Sequence, residues 1–313
     1  DSASDTTLYV YYGAADAPRQ ARPRDVWADQ RAVWNLARDL LGPAPALDDS
    51  GPENSDGMAL GDTTTVSSPT GFAARLDGSA DRLESAPLRL PGGSFTASVW
   101  FRADTLTSDA VLLSQGDPTV SGVFEIGVDA TTTPGSPTGY ATLRVDGTPV
   151  RVTGGALSAG TWHHLGVVWD QTTLDLVVDG TPVGSVSAAG ALPGSRTTAV
   201  VLGGDPAGVR TLDGDLDQVR LRDGVVSVDR LAFEAANLAN PTATVAAAGA
   251  TSGTFRDQGD WLRRRPITVS SDLADADITD FTLLIELVDA DLGAGAQADG
   301  ADLVFTAGDG VTR

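Results

Sequence analysis

Two stretches of the chain are near copies of one another, LRVDGTPVRV over 143–152 and LVVDGTPVGSV over 176–186. Each places an alternating run on both sides of Asp-Gly. A two-residue type I′ turn needs positive φ at both central positions, and Asp-Gly adopts it readily, so each stretch predicts a β-hairpin. Asp-Gly recurs at 77, 146, 179, 213, 223, 299 and 309, with short alternating runs between. Many short strands at this spacing predict an all-β sandwich or barrel. Helical periodicity is nearly absent. The short exceptions lie around 27–40 and over SVDRLAFEAANLAN (227–240), where Ser227 is placed to cap the start and Pro241 to stop the end.

The two ends of the chain read as parts of something else. DSASDTTLYVYYG opens it, with Leu8, Val10 and Tyr12 on one strand face and Thr7, Tyr9 and Tyr11 on the other. Both faces carry large groups, which marks an interior strand. Near the other end, ATVAAAGATSGTFRDQGD (243–260) has little to bury and reads as a linker. β-structure then restarts at WLRRRPITVSS, and FTLLIELVDADL places Phe281, Leu283, Ile285 and Leu287 on one face. A few strands seldom make a stable domain by themselves. The first strand and the last fragment each lack partners.

At 313 residues the chain is long enough to bury a core without metal or disulfide. It has no Cys, which removes disulfides, thiolate metal sites and Cys nucleophiles. The 42 acidic residues face 21 basic ones, all of them Arg, giving a net charge of −21. That balance opposes binding to nucleic acid or to anionic lipid. No apolar run is long enough to span a membrane as a helix.

In the middle of the chain VWNLARD, DDSGPENSDG, RLDGSADRLES, FTASVWFRADTLTSDAVLLSQGD, GTWHHLGVVWDQTTLDLVVDGTPVGS and LDGDLDQVRLRDGVVSVDRL follow one another. In this order, over about residues 32–245, they resemble the LamG-type branch of the concanavalin A-like jelly rolls. The flanks resemble a second family, a prokaryotic surface domain of unknown function (the two-three-four-one type). Residues 261–313 look like its opening half, and DTTLYVYYGAADAPRQARPRDVWADQRAVWNL looks like its closing strand and the join to the jelly roll. The expected fold is therefore all-β: a concanavalin A-like/LamG jelly-roll sandwich plus a small β-sandwich domain assembled from the two chain ends. The expected segments are 1–24 (closing strand and connector), 25–245 (jelly roll), 246–260 (linker) and 261–313 (opening half).

Three arrangements of the split domain are open. The halves can close on each other within one chain, or between successive copies head to tail. The sequence can also be one repeat of a longer chain. A head-to-tail contact would use Leu8, Tyr9, Val10, Tyr11, Tyr12, Trp261, Phe281, Leu283 and Ile285.

Some relatives of this sandwich are glycoside hydrolases. Retaining hydrolysis needs two carboxylates about 5–5.5 Å apart. The nearest match, FEIGVDA, separates Glu125 and Asp129 by four positions and lacks an acid–x–acid core, so no catalytic residue is expected. His163 and His164 are strand neighbours pointing to opposite faces and are read as structural. Relatives hold a structural Ca²⁺, and oxygen-rich candidates for one are Asp49, Asn54 and Asp56 in one loop with Asp215 and Asp217 on one strand face. The alternative is ordinary Asx-turn chemistry. Trp100, Trp162 and Trp169 are assigned inward packing, which leaves no aromatic stripe for a sugar. The expected role is a repeating unit of an extracellular or cell-surface filament or adhesin stalk, joined to copies of itself by strand complementation. The alternative is a carbohydrate-binding module taking glycans on a secreted adhesin or enzyme.

Overall fold

The computed structural model describes residues 3–17, 23–36, 47–90, 92–193, 197–255, 261–273, 277–278, 281–287, 289–298 and 300–309. The chain forms two compact units: Arg24–Ala235, and a second built from Asp1–Pro23 with Ala236–Arg313.

The first unit is a jelly-roll sandwich. Among the described residues one sheet runs Thr148–Ala156, Thr138–Val145, Phe124–Asp129, Ala110–Gln115, Val201–Leu202, Arg82–Ser85, Gly57–Leu60. The other runs Thr181–Ser187, Thr173–Val178, Trp162–Trp169, Phe95–Ala103, Asp213–Asp223, Gly71–Asp77, Thr64–Ser68. Alternation decides what goes inside. Phe95, Ala97, Val99 and Phe101 on one sheet enter the same core as Phe124, Ile126 and Val128 on the other. Phe95 bridges the layers, with its ring 5.7 Å from Phe124 and 6.2 Å from Trp169. Each such side chain stabilises the sandwich by about 1.5–3 kcal/mol through its burial.

Both copied hairpins form as expected. The turn residues have φ of 47° and 81° at Asp146 and Gly147, and 49° and 78° at Asp179 and Gly180. Asp213-Gly214 differs, because it lies inside the strand Asp213–Asp223. There Gly214 lets a neighbour close in: a Cβ would sit 2.1 Å from the Arg102 carbonyl oxygen. The helix read at 227–240 is present as Val228–Ala239, with Ser227 Oγ accepting from the Arg230 N–H at 3.2 Å. The helix read at 27–40 is not. Gln30–Trp34 is a strand on Asp213–Asp223, because Ala32 and Trp34 alternate into the core and the sheet supplies their backbone partners; residues 37–40 lie outside the described set.

In the second unit the opening strand, Thr6–Tyr12, pairs along its whole length with Trp261–Val269, from Thr6 opposite Val269 to Tyr12 opposite Arg263. Its other edge pairs with Val304–Thr306. Of the three arrangements, this is closure within one chain. Most of the residues expected to join copies meet one another within the chain. Val10 packs with Val245 and Ile267, and Leu8, Leu283, Ile285 and Leu287 lean against them. On the opposite face Tyr11 packs with Trp261 and Val304, flanked by Tyr9 and Phe255. Both faces of the strand are therefore covered, as its two-sided pattern requires.

Two expectations for this region need correction. The stretch read as a linker contributes the strands Val245–Ala247 and Thr251–Phe255, both on Trp261–Val269. Small side chains did not prevent pairing, because a ladder uses backbone groups. Conversely, 281–287 carries no strand. The Asn237 side-chain amide satisfies the backbone of Leu284, donating to its carbonyl at 3.0 Å and accepting from its N–H at 2.8 Å. The alternation still places Leu283, Ile285 and Leu287 against the core, while Phe281 is half-buried.

Candidate ligand site

The outer face of the sheet containing Phe124–Asp129 carries a chain of polar side chains. Because Phe124, Ile126 and Val128 point inward, Glu125, Gly127 and Asp129 point outward. The neighbouring strand adds Tyr140, Thr142 and Arg144, opposite Gly127, Glu125 and beyond. Arg210 binds Glu125 bidentately, Nη1 to Oε1 at 2.7 Å and Nη2 to Oε2 at 2.6 Å, and its Nε reaches Asp205 at 3.2 Å. The Tyr140 hydroxyl donates to Glu125 Oε1. The Arg151 guanidinium lies 3.7 Å above the Tyr140 ring and reaches Asp129 at 2.9 Å.

These contacts fix the charge states. The Glu125 carboxylate beside it raises the Arg210 guanidinium further above its ordinary value. Burial, and then the Glu125 charge, push the Tyr140 phenol up. Burial alone would raise the Asp129 carboxyl, but hydrogen bonds from Thr132 and Arg151 outweigh it and hold the group below its usual value. Gly127 explains the missing acid between the two. A Cβ there would stand 2.1 Å from the Ala110 carbonyl oxygen and 2.8 Å from the Tyr140 ring. No side chain fits at that position.

At one corner of the same sheet the face opens into a groove of about 380 Å³ lined by Val120, Ser121, Arg144, Asp146, Leu192 and Pro193, among others. This volume lies in the range of small-molecule clefts. Val120 is 70% exposed. The Arg144 guanidinium is positioned by donating to the Pro118 carbonyl at 2.7 Å, and Asp146 Oδ1 accepts from the Ala191 N–H at 3.1 Å. A mixed polar and apolar lining with a fixed cation and anion suits a polar ligand that also has an apolar face.

The residues proposed to hold calcium do not converge on one point. Asp49 is buried and accepts three backbone N–H bonds, from Val33, Gly51 and Ser55, each at 2.8 Å. Asp56 accepts from the Asp49 N–H at 2.8 Å and from the Asn54 amide at 3.3 Å. This is the Asx-type alternative. Asp215 and Asp217 do share a strand face, but Asp215 pairs with Arg75 and Arg102. Asp217 accepts from the Ser68 and Thr70 hydroxyls and from the Gln218 N–H. Burial pushes the Asp217 carboxyl up to about 6 despite those donors. A different acidic group, Asp62, Asp77 and Asp81, has ligand-type oxygens within 4.8 Å of one another. Asp81 is buried and accepts from the Asp62 and Asp77 N–H groups. Sequence reading noticed Asp77 only as a turn residue.

The histidines serve separate carboxylates. His163 Nδ1 is 2.7 Å from Asp179, and His164 Nε2 is 3.4 Å from Glu234. Burial would raise Glu234, yet Arg220 and His164 hold it down to about 2. Of the three tryptophans, only Trp169 joins the core. Trp100 and Trp162 stand on the outer face and stack at 5.8 Å, 8° from parallel.

Residues 77–232 match the family model described as the concanavalin A-like lectin/glucanases superfamily. No curated protein matches the sequence. Among solved structures, domain 4 of AbnA, a GH43 extracellular arabinanase from Geobacillus stearothermophilus, in complex with arabinotriose, is similar at TM-score 0.52 and 16% identity. That match covers 66% of this chain and 98% of the domain. The binding domain of Paraclostridial Mosquitocidal Protein 1 is similar at TM-score 0.51 and 12% identity, over 69% of this chain and 53% of that one. The botulinum neurotoxin serotype D ligand binding domain in complex with N-acetylneuraminic acid is similar at TM-score 0.51 and 10% identity, over 69% and 53%. The match thus spans about half the length of each toxin domain.

Proposed function

From a concanavalin A-like jelly roll as premise, we propose that this chain is an extracellular recognition module that binds a glycan in the groove beside Arg144. The observation that carries the reading is that groove: open, about 380 Å³, with a fixed Arg and Asp in a mixed polar and apolar lining. The solved relatives add support, one domain bound to arabinotriose and another to N-acetylneuraminic acid. Recognition without hydrolysis fits the neighbouring face. Glycoside hydrolysis needs one protonated and one ionised carboxyl, and Glu125 and Asp129 are each engaged by an arginine. No helix among the described residues is long and apolar enough to cross a membrane.

Titration calorimetry following a glycan array tests this. The full chain is expected to bind at least one arabino- or sialo-oligosaccharide and to release no reducing sugar from it. Arg144→Ala should weaken binding at least tenfold without moving the melting temperature. An empty array, or binding indifferent to Arg144→Ala, sinks the assignment.

A second reading, a building block that joins copies of itself at a cell surface, is favoured by one separate observation. The middle strand of the second unit comes from the opposite end of the sequence.

A further inference from the structure

The opening strand Thr6–Tyr12 is held at many points. Beyond its two ladders, Asp5 accepts from the Ser271 N–H and hydroxyl, each at 3.0 Å. The Tyr12 hydroxyl donates to Asp291 at 2.7 Å, 279 positions away. The N–H groups of Gly13 and Ala14 donate to Asp302 at 2.8 and 3.1 Å, and the Arg264 guanidinium sits 4.6 Å over the Tyr9 ring. Every one of these partners lies beyond residue 260, so the whole jelly-roll sequence separates the strand from its slot. Without the strand, seven positions of Trp261–Val269 lose their ladder partner on that edge, and Val304–Thr306 loses its pairing. An unfilled edge of that kind recruits another strand.

Resting on the self-association reading above, we infer that the slot between Trp261–Val269 and Val304–Thr306 also accepts the opening strand of a second copy, linking chains by strand exchange. The contacts inside the slot are the same whether the strand comes from its own chain or from another. The balance is therefore set by effective concentration and by the connector, not by new contacts. Alternate pockets supply selectivity, with Leu8 and Val10 entering one apolar cluster and Tyr9 and Tyr11 the other. Repeated in one direction, the exchange gives a head-to-tail series; returned by the acceptor, it gives a closed dimer.

Thr7 lies directly opposite Thr268, a pairing whose Cα separation of about 4.5–5.5 Å falls within disulfide range. The chain has no Cys of its own. Full-length Thr7→Cys and Thr268→Cys variants are mixed, loosened in mild denaturant, returned to buffer at a series of concentrations and oxidised. The expected product is a dimer whose digest contains the 7–268 cross-link, rising several-fold for a tenfold increase in protein. A Thr7→Cys, Thr268→Cys double variant should give closed monomer when dilute and a ladder when concentrated. Monomer alone at every concentration would overturn the inference. So would dimers or filaments lacking the 7–268 link, which would leave self-association standing through another surface. A glycan-binding failure changes none of these outcomes.

Discussion

The two units bury their sheets in different ways. In the jelly roll, hairpins between sequence neighbours such as Thr138–Val145 with Thr148–Ala156 flank central strands, Phe95–Ala103 and Asp213–Asp223, that pair with distant partners, and one continuous core runs from Ala32 to Leu221. The second unit has two small clusters on either side of one sheet, and its middle strand is imported from the far end of the chain. A core shared by many strands spreads the loss of any one of them. A unit centred on a distant strand stands or falls with that strand, because loop closure must be completed before the contacts reward it.

The largest test of this contrast is Phe101→Ala. Phe101 is fully buried, so the change should cost about 3–5 kcal/mol. Hydrogen exchange followed by mass spectrometry should show lost protection across the jelly-roll strands. If amides of Thr6–Tyr12 open to the same extent, the two units do not differ as described.

A pH titration gives a middle-sized effect. Asp217 titrates near 6 when folded and near 3.8 when unfolded. Between about pH 4 and 6 the folded state thus holds a proton that the unfolded state has released, and stability falls as pH rises through that window. Asp217→Asn should flatten this slope and raise the jelly-roll melting temperature at pH 7. An unchanged slope would locate the dependence elsewhere. Glu234 acts with the opposite sign. Its folded value of about 2 against 4.5 contributes stability at neutral pH that is lost as pH falls through the range 4.5 to 2.

The smallest effect separates the two copied turns. Gly147 and Gly180 both have positive φ, so Ala at either costs about 1 kcal/mol. At Gly147 a Cβ meets nothing within 4 Å, whereas at Gly180 it would meet the Ala232 Cα at 2.7 Å. Chemical denaturation should therefore show Gly180→Ala as the costlier change. Equal costs would mean that the helix bearing Ala232 yields freely.

Legibility in the sequence follows the same divide. Hairpins were readable because Asp-Gly and alternation are local signals, as at 146–147 and 179–180. The strand Gln30–Trp34 was missed because its type is decided by the distant Asp213–Asp223, not by its own residues. Val245–Ala247 and Thr251–Phe255 were missed because Ala, Gly and Ser hide a ladder that only their backbone makes. The groove beside Arg144 was invisible, since its walls come from three separate loops (around 120, 146 and 192). The carboxylates at 49, 56, 215 and 217 were readable as oxygen-rich positions, but not their partners. Only coordinates show that arginines, hydroxyls and amides already occupy them.

Gly127 has a consequence for chemistry as well as for shape. A strand with acids at positions 125 and 129 looks one substitution away from an acid–x–acid array. The Ala110 carbonyl and the Tyr140 ring occupy the space that a side chain at 127 would need. An acid at 127 would require Tyr140 to shrink and the local pairing to shift at the same time. Each single step toward that array passes through a strained sheet, so one substitution at 127 does not turn this face into a carboxylate pair with a third acid between.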